Sequence, residues 1–386
     1  MPQKLLLASQ TLFKDPEIFE SDYIPNTINY RDMQLRQLAG TILPALRGVC
    51  PINTILRGPP GAGKTTSVLR IFTEIEETTR KVVTVLINCQ NVQTEFRIFA
   101  KIFEELFRQQ PPFSGIPIQR LTDPIAKELI RRKAVLIVCL DDANYLGHNH
   151  QLDKVLRPLL RMHESNPGVR IGVITTISTL DFHRPAILDP AVESIYQPEE
   201  IIFPPYVEEE IQRILHGRIT AGLCKGVVTP DILNLITTLT MESGDLRIGI
   251  NLLKRSVIHA ERIGQTKVQE EDVRHAFRST QEAHVSHLVD SLTTDNRRLL
   301  SYIAKMSQED ATGPIISGNL YDSYKKNTTI CYTAFYNHLN KLASFRLIDL
   351  TQRNTKGNTR EVVLRCDPAE IMEMCRTEIG GEILSF

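Results

Sequence analysis

The chain has 386 residues, of which 45 are basic and 45 acidic, so it carries no formal net charge. This length predicts two or three domains of about 100–200 residues, and 42% hydrophobic with 23% charged side chains excludes a disordered or fibrous protein. The longest apolar run, Ala134 to Leu140, is far shorter than the ~20 residues that span a bilayer, and MPQKLLLASQ is too short and polar for a signal peptide, so a cytoplasmic protein without a membrane partner is expected.

The first 200 residues alternate short apolar segments with helical patterns, which predicts an α/β domain with a parallel sheet covered on both faces. Apolar residues at three- and four-residue spacing predict helices over Lys64–Glu77 and Phe96–Phe107. The predicted strands are Asn53–Leu56, Lys81–Asn88, Val135–Leu140, Arg170–Thr176 and Glu200–Phe203. Pro204 and Pro205 remove consecutive backbone donors, so this first domain is expected to cover residues 1–205.

A helical segment follows the two prolines. An amphipathic helix is predicted over Val207–Leu223, and Thr229 followed by Pro230 is typical of the start of a second helix. Ser243-Gly244-Asp245 precedes a third helix that is predicted to end near Ile263. These helices predict a small α-helical lid over residues 206–280.

The last hundred residues predict helices followed by a β-ribbon. After a linking helix near Gln281–Ser291, helices are predicted over Asn296–Met306, Ser317–Tyr324 and Tyr332–Ala343. The stretches RLIDLTQRN and TREVVLR flank Thr355–Asn358 as the strands of a hairpin do. Three helices with a terminal hairpin predict a C-terminal winged-helix domain over residues 281–386.

The strongest motif is RGPPGAGKTT, which satisfies G-x-x-x-x-G-K-[ST] between a predicted strand and a predicted helix. Glycines in that position let backbone N–H groups curl around phosphate at a helix N-terminus. Lys64 is therefore expected to reach the β- and γ-phosphates of ATP or ADP, and Thr65 to bind Mg²⁺. The expected nucleotide-binding loop comprises Gly58, Pro59, Pro60, Gly61, Ala62, Gly63, Lys64, Thr65 and Thr66.

Two adjacent aspartates end the buried strand in AVLIVCLDDANYL. In a P-loop NTPase the first of them, Asp141, is expected to hold Mg²⁺ from the second side. The strand–helix plan and the helical segment resemble AAA+ ATPases, in which the position of Asp142 is usually Glu and orients the attacking water. Aspartate is one methylene shorter, and a misplacement of about 1 Å at a reacting centre costs on the order of a hundredfold in rate. A solvated or helix-capping Asp142 remains the alternative.

The AAA+ resemblance implies further catalytic positions. A polar residue after the fourth strand helps to position that water, and VITTIS offers Thr175, Thr176 or Ser178, of which Ser178 is the candidate. Ala191 stands where relatives often place an arginine that reaches a neighbouring subunit's nucleotide. Arg247 in Gly244-Asp245-Leu246-Arg247 matches the second sensor, an arginine directed at the γ-phosphate, and an ordinary surface arginine is the alternative.

The ordered set GPPGAGKTT, LDDAN, LDP, IIFPPY and GDLR, after the opening LFKDPEIFESDYIPNTINYRDMQL, resembles archaeal replication initiators of the origin-recognition and helicase-loader AAA+ family. The resemblance covers nearly the whole chain. It implies that the nucleotide also contacts Tyr23, Ile24, Pro25, Arg31 and Tyr206. It further implies a DNA-contacting element in QPPFSGIPIQRL, centred on Phe113, Ser114 and Gly115, a stretch that the sequence alone predicts as a surface loop.

The winged helix carries the other expected DNA contacts. Between Tyr321 and Arg365 the chain has eight basic and three acidic residues, a surplus that favours nucleic acid because phosphate neutralisation supplies much of the affinity. The second helix of such a motif enters the major groove and its wing lies along phosphate or in the minor groove. The expected DNA-binding residues are Tyr332, Thr333, Tyr336, Asn337 and Lys341 on the helix, and Arg353, Lys356, Gly357 and Arg360 on the wing. A protein-interaction module is the alternative.

Together the motifs and the resemblance predict an ATP-regulated, nucleoid-associated initiator. It is expected to bind origin double-stranded DNA and to help recruit or load the replicative helicase, with paralogous initiators as further candidate partners. ATP and Mg²⁺ would act as a switch that slow hydrolysis resets. One alternative is a clamp-loader-like or remodelling motor, which would use a glutamate and an inter-subunit arginine. A second is a nucleotide-regulated transcription factor, which usually carries an extra sensor domain. A third, a P-loop kinase, is disfavoured by the helical lid and the winged end.

Overall fold

A computed structural model describes residues 11–111, 117–147, 151–178, 188–309, 314–345, 347–352 and 360–376. The chain divides into two compact units, Met1–Val273 and Arg274–Phe386. In the described parts of both units, no helix is long and apolar enough to cross a membrane.

The first unit contains a parallel sheet with helices on both faces, as the alternating pattern predicts. In chain order its strands are β1 (Thr54–Arg57), β2 (Val82–Asn88), β3 (Val135–Asp141), β4 (Arg170–Ile177) and β5 (Glu199–Ile202), and the order across the sheet is β2-β3-β4-β1-β5. The helices are α1 (Asp32–Leu46), α2 (Lys64–Thr78), α3 (Glu95–Phe107), α4 (Gln119–Arg132), α5 (Gln151–Ser165) and α6 (Pro190–Tyr196). Strand β3 is buried along its whole length because one hydrophobic cluster packs on each face of the sheet.

The sequence predicts all five of these strands within one residue at each end, and two corrections follow from the backbone. Asp141 belongs to β3, since Asn88 of β2 lies opposite it in the parallel register. The last strand ends at Ile202, and Phe203 leaves the ladder after its N–H donates to the carbonyl of Arg57 at 2.7 Å. The carboxyl ends of β1, β3 and β4 therefore meet at one edge of the sheet, where the motif residues follow them.

Three helices complete the first unit: α7 (Glu208–Gly222), α8 (Pro230–Ser243) and α9 (Leu246–Arg262). They agree with the predicted helices, and Thr229 and Asp245 are the N-caps of α8 and α9. Residues 11–15 run beside the end of α7, where the amides of Lys14 and Asp15 donate to the carbonyl of Gly222. The N-terminal segment is thus attached to this helical segment before the chain enters α1.

The second unit is a winged helix within the residues that the structure describes. The linking helix α10 (Glu270–Asp290) begins eleven residues earlier than predicted and crosses the boundary between the units. It is followed by α11 (Thr294–Glu309), β6 (Ile315–Ile316), α12 (Ser317–Asn327), α13 (Tyr332–Ser344), β7 (Ile348–Gln352), β8 (Arg360–Leu364) and α14 (Pro368–Arg376). The antiparallel sheet has the order β6-β8-β7, so the predicted hairpin is present with a short third strand on its free side.

Candidate functional site

The phosphate loop leaves β1 at Arg57 and enters α2 at Lys64. Gly61 and Gly63 have φ values of +71° and +88°, which L side chains rarely adopt. The neighbours leave no room for side chains either: a Cβ at Gly58 would overlap the carbonyl of Phe203, and one at Gly61 would overlap the carboxylate of Asp245. The loop is therefore packed between the end of β5 and the start of α9, where only glycine allows such close approach.

Lys64 turns its side chain into this loop. Its Nζ donates to the carbonyls of Gly58 at 2.7 Å and Pro59 at 2.9 Å, and the residue is 5% exposed. Burial lowers the pKa of the ammonium group, while Asp142 and Asp141 raise it. The cation is thus held on the inner side of the loop, in the position from which a P-loop lysine reaches phosphate oxygens.

Thr65 and Asp141 bring two oxygen ligands together. The Thr65 hydroxyl donates to Asp141 Oδ1 at 2.8 Å, and the Thr176 hydroxyl donates to the same oxygen at 2.7 Å. Burial raises the pKa of the Asp141 carboxyl group, and the two hydroxyl hydrogen bonds oppose that shift. A hydroxyl and a carboxylate at the end of a phosphate loop are the hard oxygen donors that Mg²⁺ accepts, so these residues fit the expected ion.

Asp142 lies beside that pair in the left-handed backbone region, with φ at +54°. Its amide donates to the Thr176 hydroxyl at 2.8 Å, Gln90 Nε2 donates to its Oδ2 at 2.8 Å, and the Ser178 hydroxyl donates to its Oδ1. Asn144 Oδ1 accepts from the Ser178 amide at 3.3 Å and fixes that residue in turn. The carboxylate is therefore clamped from both sides, and the structure brings Ser178 directly to Asp142.

Two residues of this site were not chosen as site residues from the sequence: Gln90 was not considered, and Thr176 was considered but Ser178 was preferred. Gln90 follows β2, and β2 is the neighbour of β3 in the sheet, so the strand order places its side chain next to Asp142. A polar residue just past a strand that pairs with the aspartate-bearing strand is the signal that could have identified it. Thr176 was one of three candidates after the fourth strand, and its hydroxyl joins Asp141 to the Asp142 amide.

Arg247 opens α9 and forms a fork with the residue that caps the same helix. Its Nη2 donates to Asp245 Oδ2 at 2.6 Å and its Nε to Asp245 Oδ1 at 3.0 Å, while its side chain is 70% exposed. The hydrogen bond that Arg247 donates to Asp245 is the main cause of the raised pKa of Arg247, and the Asp142 and Asp141 charges act in the same direction. Arg247 is thus held next to the phosphate loop, because the Asp245 carboxylate with which it pairs packs against Gly61.

Arg31 has a different environment from that of an exposed nucleotide ligand. It is 2% exposed, and its guanidinium donates to the carbonyls of Ala62 at 2.9 Å, Tyr30 at 3.0 Å and Pro204 at 2.7 Å. The same group stacks on Tyr206, 3.8 Å from the ring centroid, and burial lowers its pKa. Arg31 therefore connects the phosphate loop to the segment that joins β5 to α7.

The remaining expected nucleotide contacts, Tyr23, Ile24 and Pro25, lie just before Arg31. Tyr23 packs under the guanidinium of Arg218 on α7, whose carbon is 4.5 Å from the ring centroid. Ile24 and Pro25 are half-buried. These residues thus lie between the N-terminal segment that is attached to the helices and the arginine that is attached to the phosphate loop.

On the winged helix, the structure places the expected helix residues along one side of α13. Tyr332, Thr333, Asn337 and Lys341 are exposed, whereas Tyr336 is half-buried and its hydroxyl donates to Ser317 Oγ at 3.2 Å. Arg360 on β8 donates to Asn340 Oδ1 at 3.1 Å, so the wing strand is attached to the helix. The expected contacts outside the described residues are Phe113, Ser114, Gly115, Arg353, Lys356 and Gly357.

Family models match the part of the chain that contains the parallel sheet and the helical segment that follows it. Residues 53–181 match the AAA domain, and residues 212–278 match the Cdc6 AAA+ ATPase-type lid domain. The fold expected from the sequence, an AAA+ core with a helical lid and a winged helix, is thus confirmed together with its archaeal resemblance.

Similar proteins of known name cover almost the whole chain. The ORC1-type DNA replication protein 2 of Methanosarcina mazei is 38% identical over 95% of this chain and 97% of its own length. The ORC1-type DNA replication protein 3 of Haloarcula marismortui is 37% identical over 96% of this chain and 98% of its own length. Among solved structures, the Aeropyrum pernix ORC1 protein in complex with DNA superposes with a TM-score of 0.76 at 26% identity, covering 94% of this chain and 96% of its own. The ADPNP-ADP complexes of the Aeropyrum pernix ORC2 protein give a TM-score of 0.71 at 25% identity, covering 94% and 97%.

Proposed function

The chain belongs to the family of ORC1-type DNA replication proteins, and from that premise we propose that it is an ATP-regulated initiator that binds origin double-stranded DNA. In this proposal it helps to recruit or load the replicative helicase. Residues 1–205 act as the ATPase core, 206–280 as the lid and 281–386 as the DNA-binding domain. Paralogous initiators remain candidate partners.

The observation that carries the switch is the clamped carboxylate of Asp142. In AAA+ ATPases the corresponding residue orients water, yet here it is one methylene shorter and already accepts hydrogen bonds from Gln90 and Ser178. A carboxylate that is one methylene too short to reach the attacking water, and that already accepts hydrogen bonds from two donors, activates water weakly. We therefore expect tight binding of ATP and slow hydrolysis.

The residues around the loop have distinct parts in this switch. Lys64 and the loop amides hold the phosphates, Thr65 and Asp141 hold Mg²⁺, and Arg247 reaches the γ-phosphate from α9. When bound, Mg²⁺ neutralises charge on the β- and γ-phosphates. Because Arg247 lies on α9 while Lys64 opens α2 of the core, a γ-phosphate favours one arrangement of the helical segment on the core, and its loss removes that preference.

Binding to DNA is supported by the winged helix with its basic residues and by the DNA complex of the similar Aeropyrum pernix ORC1 protein. Phosphate contacts from lysine and arginine would supply most of the affinity, and α13 would supply the preference for a site.

A motor function fits the nucleotide site less well than a switch does. Ala191 lies in the first turn of α6, where it provides no cation for a neighbouring nucleotide.

The proposal is tested by footprinting the purified protein on fragmented genomic DNA from its own source, at a stated salt concentration, with ATP and with ADP. We expect protection of a few repeated sites at one or two loci, and a change in the protected pattern between the two nucleotides. Uniform, salt-sensitive binding without preferred sites would contradict an origin-specific initiator. In parallel, single-turnover hydrolysis should be slow, and a turnover of many ATP per second would contradict the switch.

A further inference from the structure

The outer side of α13 changes its chemistry along the helix. Tyr332 and Thr333 are exposed in the first turn, Asn337 is exposed one turn later, and Lys341 is exposed in the last turn. At 1.5 Å per residue, Tyr332 and Lys341 are separated by about 13 Å along the axis. The helix thus presents an aromatic and a methyl group first, an amide next and a cation last.

Tyr332 is held in place by other aromatic rings although it is 56% exposed. Its ring centroid lies 4.5 Å from that of Tyr336 and 5.2 Å from that of Tyr321 on α12, which it meets at 87°. The Tyr336 hydroxyl is in turn bound to Ser317. An exposed ring that is fixed by its neighbours loses little side-chain entropy when a ligand covers it.

The surroundings of this ring favour a nucleic acid as its partner. Lys325 and Lys326 are exposed in the last turn of α12, and Lys325 Nζ is 5.6 Å from the centroid of Tyr321. Cations beside an uncharged aromatic tip match a duplex, in which phosphates flank the base edges of the groove. In the major groove the apolar group offered by a base is the C5-methyl of thymine, and an asparagine side chain pairs best with adenine.

We propose that Tyr332 and Thr333 are specificity-determining residues that recognise thymine through its C5-methyl group in the major groove, with Asn337 facing the adenine of a nearby A·T pair. The inference rests on the proposed function, since it requires the N-terminal turn of α13 to enter a major groove. The order of groups along the helix supports it. The apolar end would lie against the bases, and Lys341, about 13 Å further along the axis, would lie near the phosphate backbone.

The test uses the full-length protein and a duplex target selected with it from a random library. Each thymine of that target is replaced in turn by deoxyuridine, which removes the methyl group and leaves base pairing intact. We expect the affinity to fall about three- to tenfold at one or two positions, as loss of one buried methyl group implies, and to stay unchanged at the others. Tyr332→Ala should bind the thymine and deoxyuridine duplexes equally at a sensitive position, whereas Tyr332→Phe, which keeps the ring, should retain the difference.

Lys341→Ala is the matched control on the same helix. It should weaken binding to all duplexes and lower the salt dependence, while leaving the effect of deoxyuridine intact. If the protein prefers its selected target but tolerates deoxyuridine at every thymine, the methyl recognition is wrong and the proposed function stands. If the protein selects no target at all, the proposed function and this inference fail together.

Discussion

Replacement of Arg31 by alanine tests whether this residue joins the phosphate loop to the segment between β5 and α7. The guanidinium is 2% exposed and donates to three backbone carbonyls, those of Ala62, Tyr30 and Pro204, while it stacks on Tyr206. Arg31→Ala removes these interactions and leaves the Ala62 and Pro204 carbonyls without their donor. The variant should therefore lose stability in the first unit and bind ATP more weakly.

The magnitude follows from the contacts. Hydrogen bonds from a charged group contribute about 1.5–3 kcal/mol each, and a desolvated cation–π contact about 2 kcal/mol. Burial of the guanidinium opposes these gains, as its lowered pKa indicates, so the net loss should be about 3–5 kcal/mol, which is less than the sum of the contacts. Arg31→Lys keeps a charge but cannot span the three carbonyls, and it should lose about half as much.

Urea unfolding followed by far-ultraviolet circular dichroism measures this loss, because the chain contains no tryptophan. The transition of the first unit is identified as the one that Mg-ATP shifts to higher urea. Arg36→Ala is the matched control, an exposed arginine on the same helix, α1, that should change stability by less than about 0.5 kcal/mol. A loss below about 1 kcal/mol in the free energy of unfolding of Arg31→Ala would refute the reasoning, because the removal of three hydrogen bonds and a cation–π contact should cost more than this.

Three further changes test the site. Burial raises the pKa of Asp141, so ionisation of this carboxyl group lowers the stability of the fold as the pH rises from the ordinary aspartate pKa through the raised one. Asp141→Asn should therefore raise the midpoint of thermal unfolding at pH 7 without nucleotide, and it should abolish the extra stabilisation by Mg-ATP over ATP alone. An unchanged Mg²⁺ effect would contradict the site. Gly58→Ala should destabilise the first unit by about 1–3 kcal/mol in urea, because the new methyl group overlaps the Phe203 carbonyl, whereas Gly40→Ala on α1 has open space and serves as the control. Asp142→Glu should retain hydrolysis and Asp142→Asn should slow it at least tenfold in single-turnover assays with ATP affinity preserved, and equal rates in the two variants would exclude Asp142 as the water-orienting group.

Local sequence patterns predict the centre of the sheet and the phosphate loop because each depends on a short segment. The apolar run before Asp141 has the length and the β-branched residues of a buried strand, and RGPPGAGKTT contains its own turn chemistry. The helices α1, α4 and α5 could not be predicted from local patterns in this way. Each contains an internal proline, Pro44, Pro124 or Pro158, and proline read locally ends a helix. Burial of apolar side chains in the core outweighs that local cost in all three.

The contacts of Arg31 and Asp142 could not be predicted from local patterns because their partners are distant in sequence. Arg31 meets Pro204 across 173 residues, and Asp142 meets Gln90 across 52. The contact between Arg31 and Pro204 depends on the position of the loop after β5. The contact between Asp142 and Gln90 depends on the strand order, because it places the end of β2 beside the end of β3. A residue type at the right spacing identifies the chemistry of a site, whereas tertiary topology selects which side chain supplies it.

Each charged group at this site already has a protein partner that competes with phosphate or water. Lys64 donates to the loop carbonyls, Arg247 pairs with Asp245, and Asp142 accepts from Gln90 and Ser178. In the proposed function, binding of a γ-phosphate would therefore exchange hydrogen bonds rather than add them. The free-energy difference between the arrangements of α9 with and without the γ-phosphate would then be smaller than the sum of the new contacts. In the proposed switch, a near balance of this kind would make the position of α9 sensitive to a single phosphate group. In the proposed function, the clamped Asp142 is also poorly placed for rapid catalysis, and a nucleotide-controlled switch would require this combination whereas a motor would not.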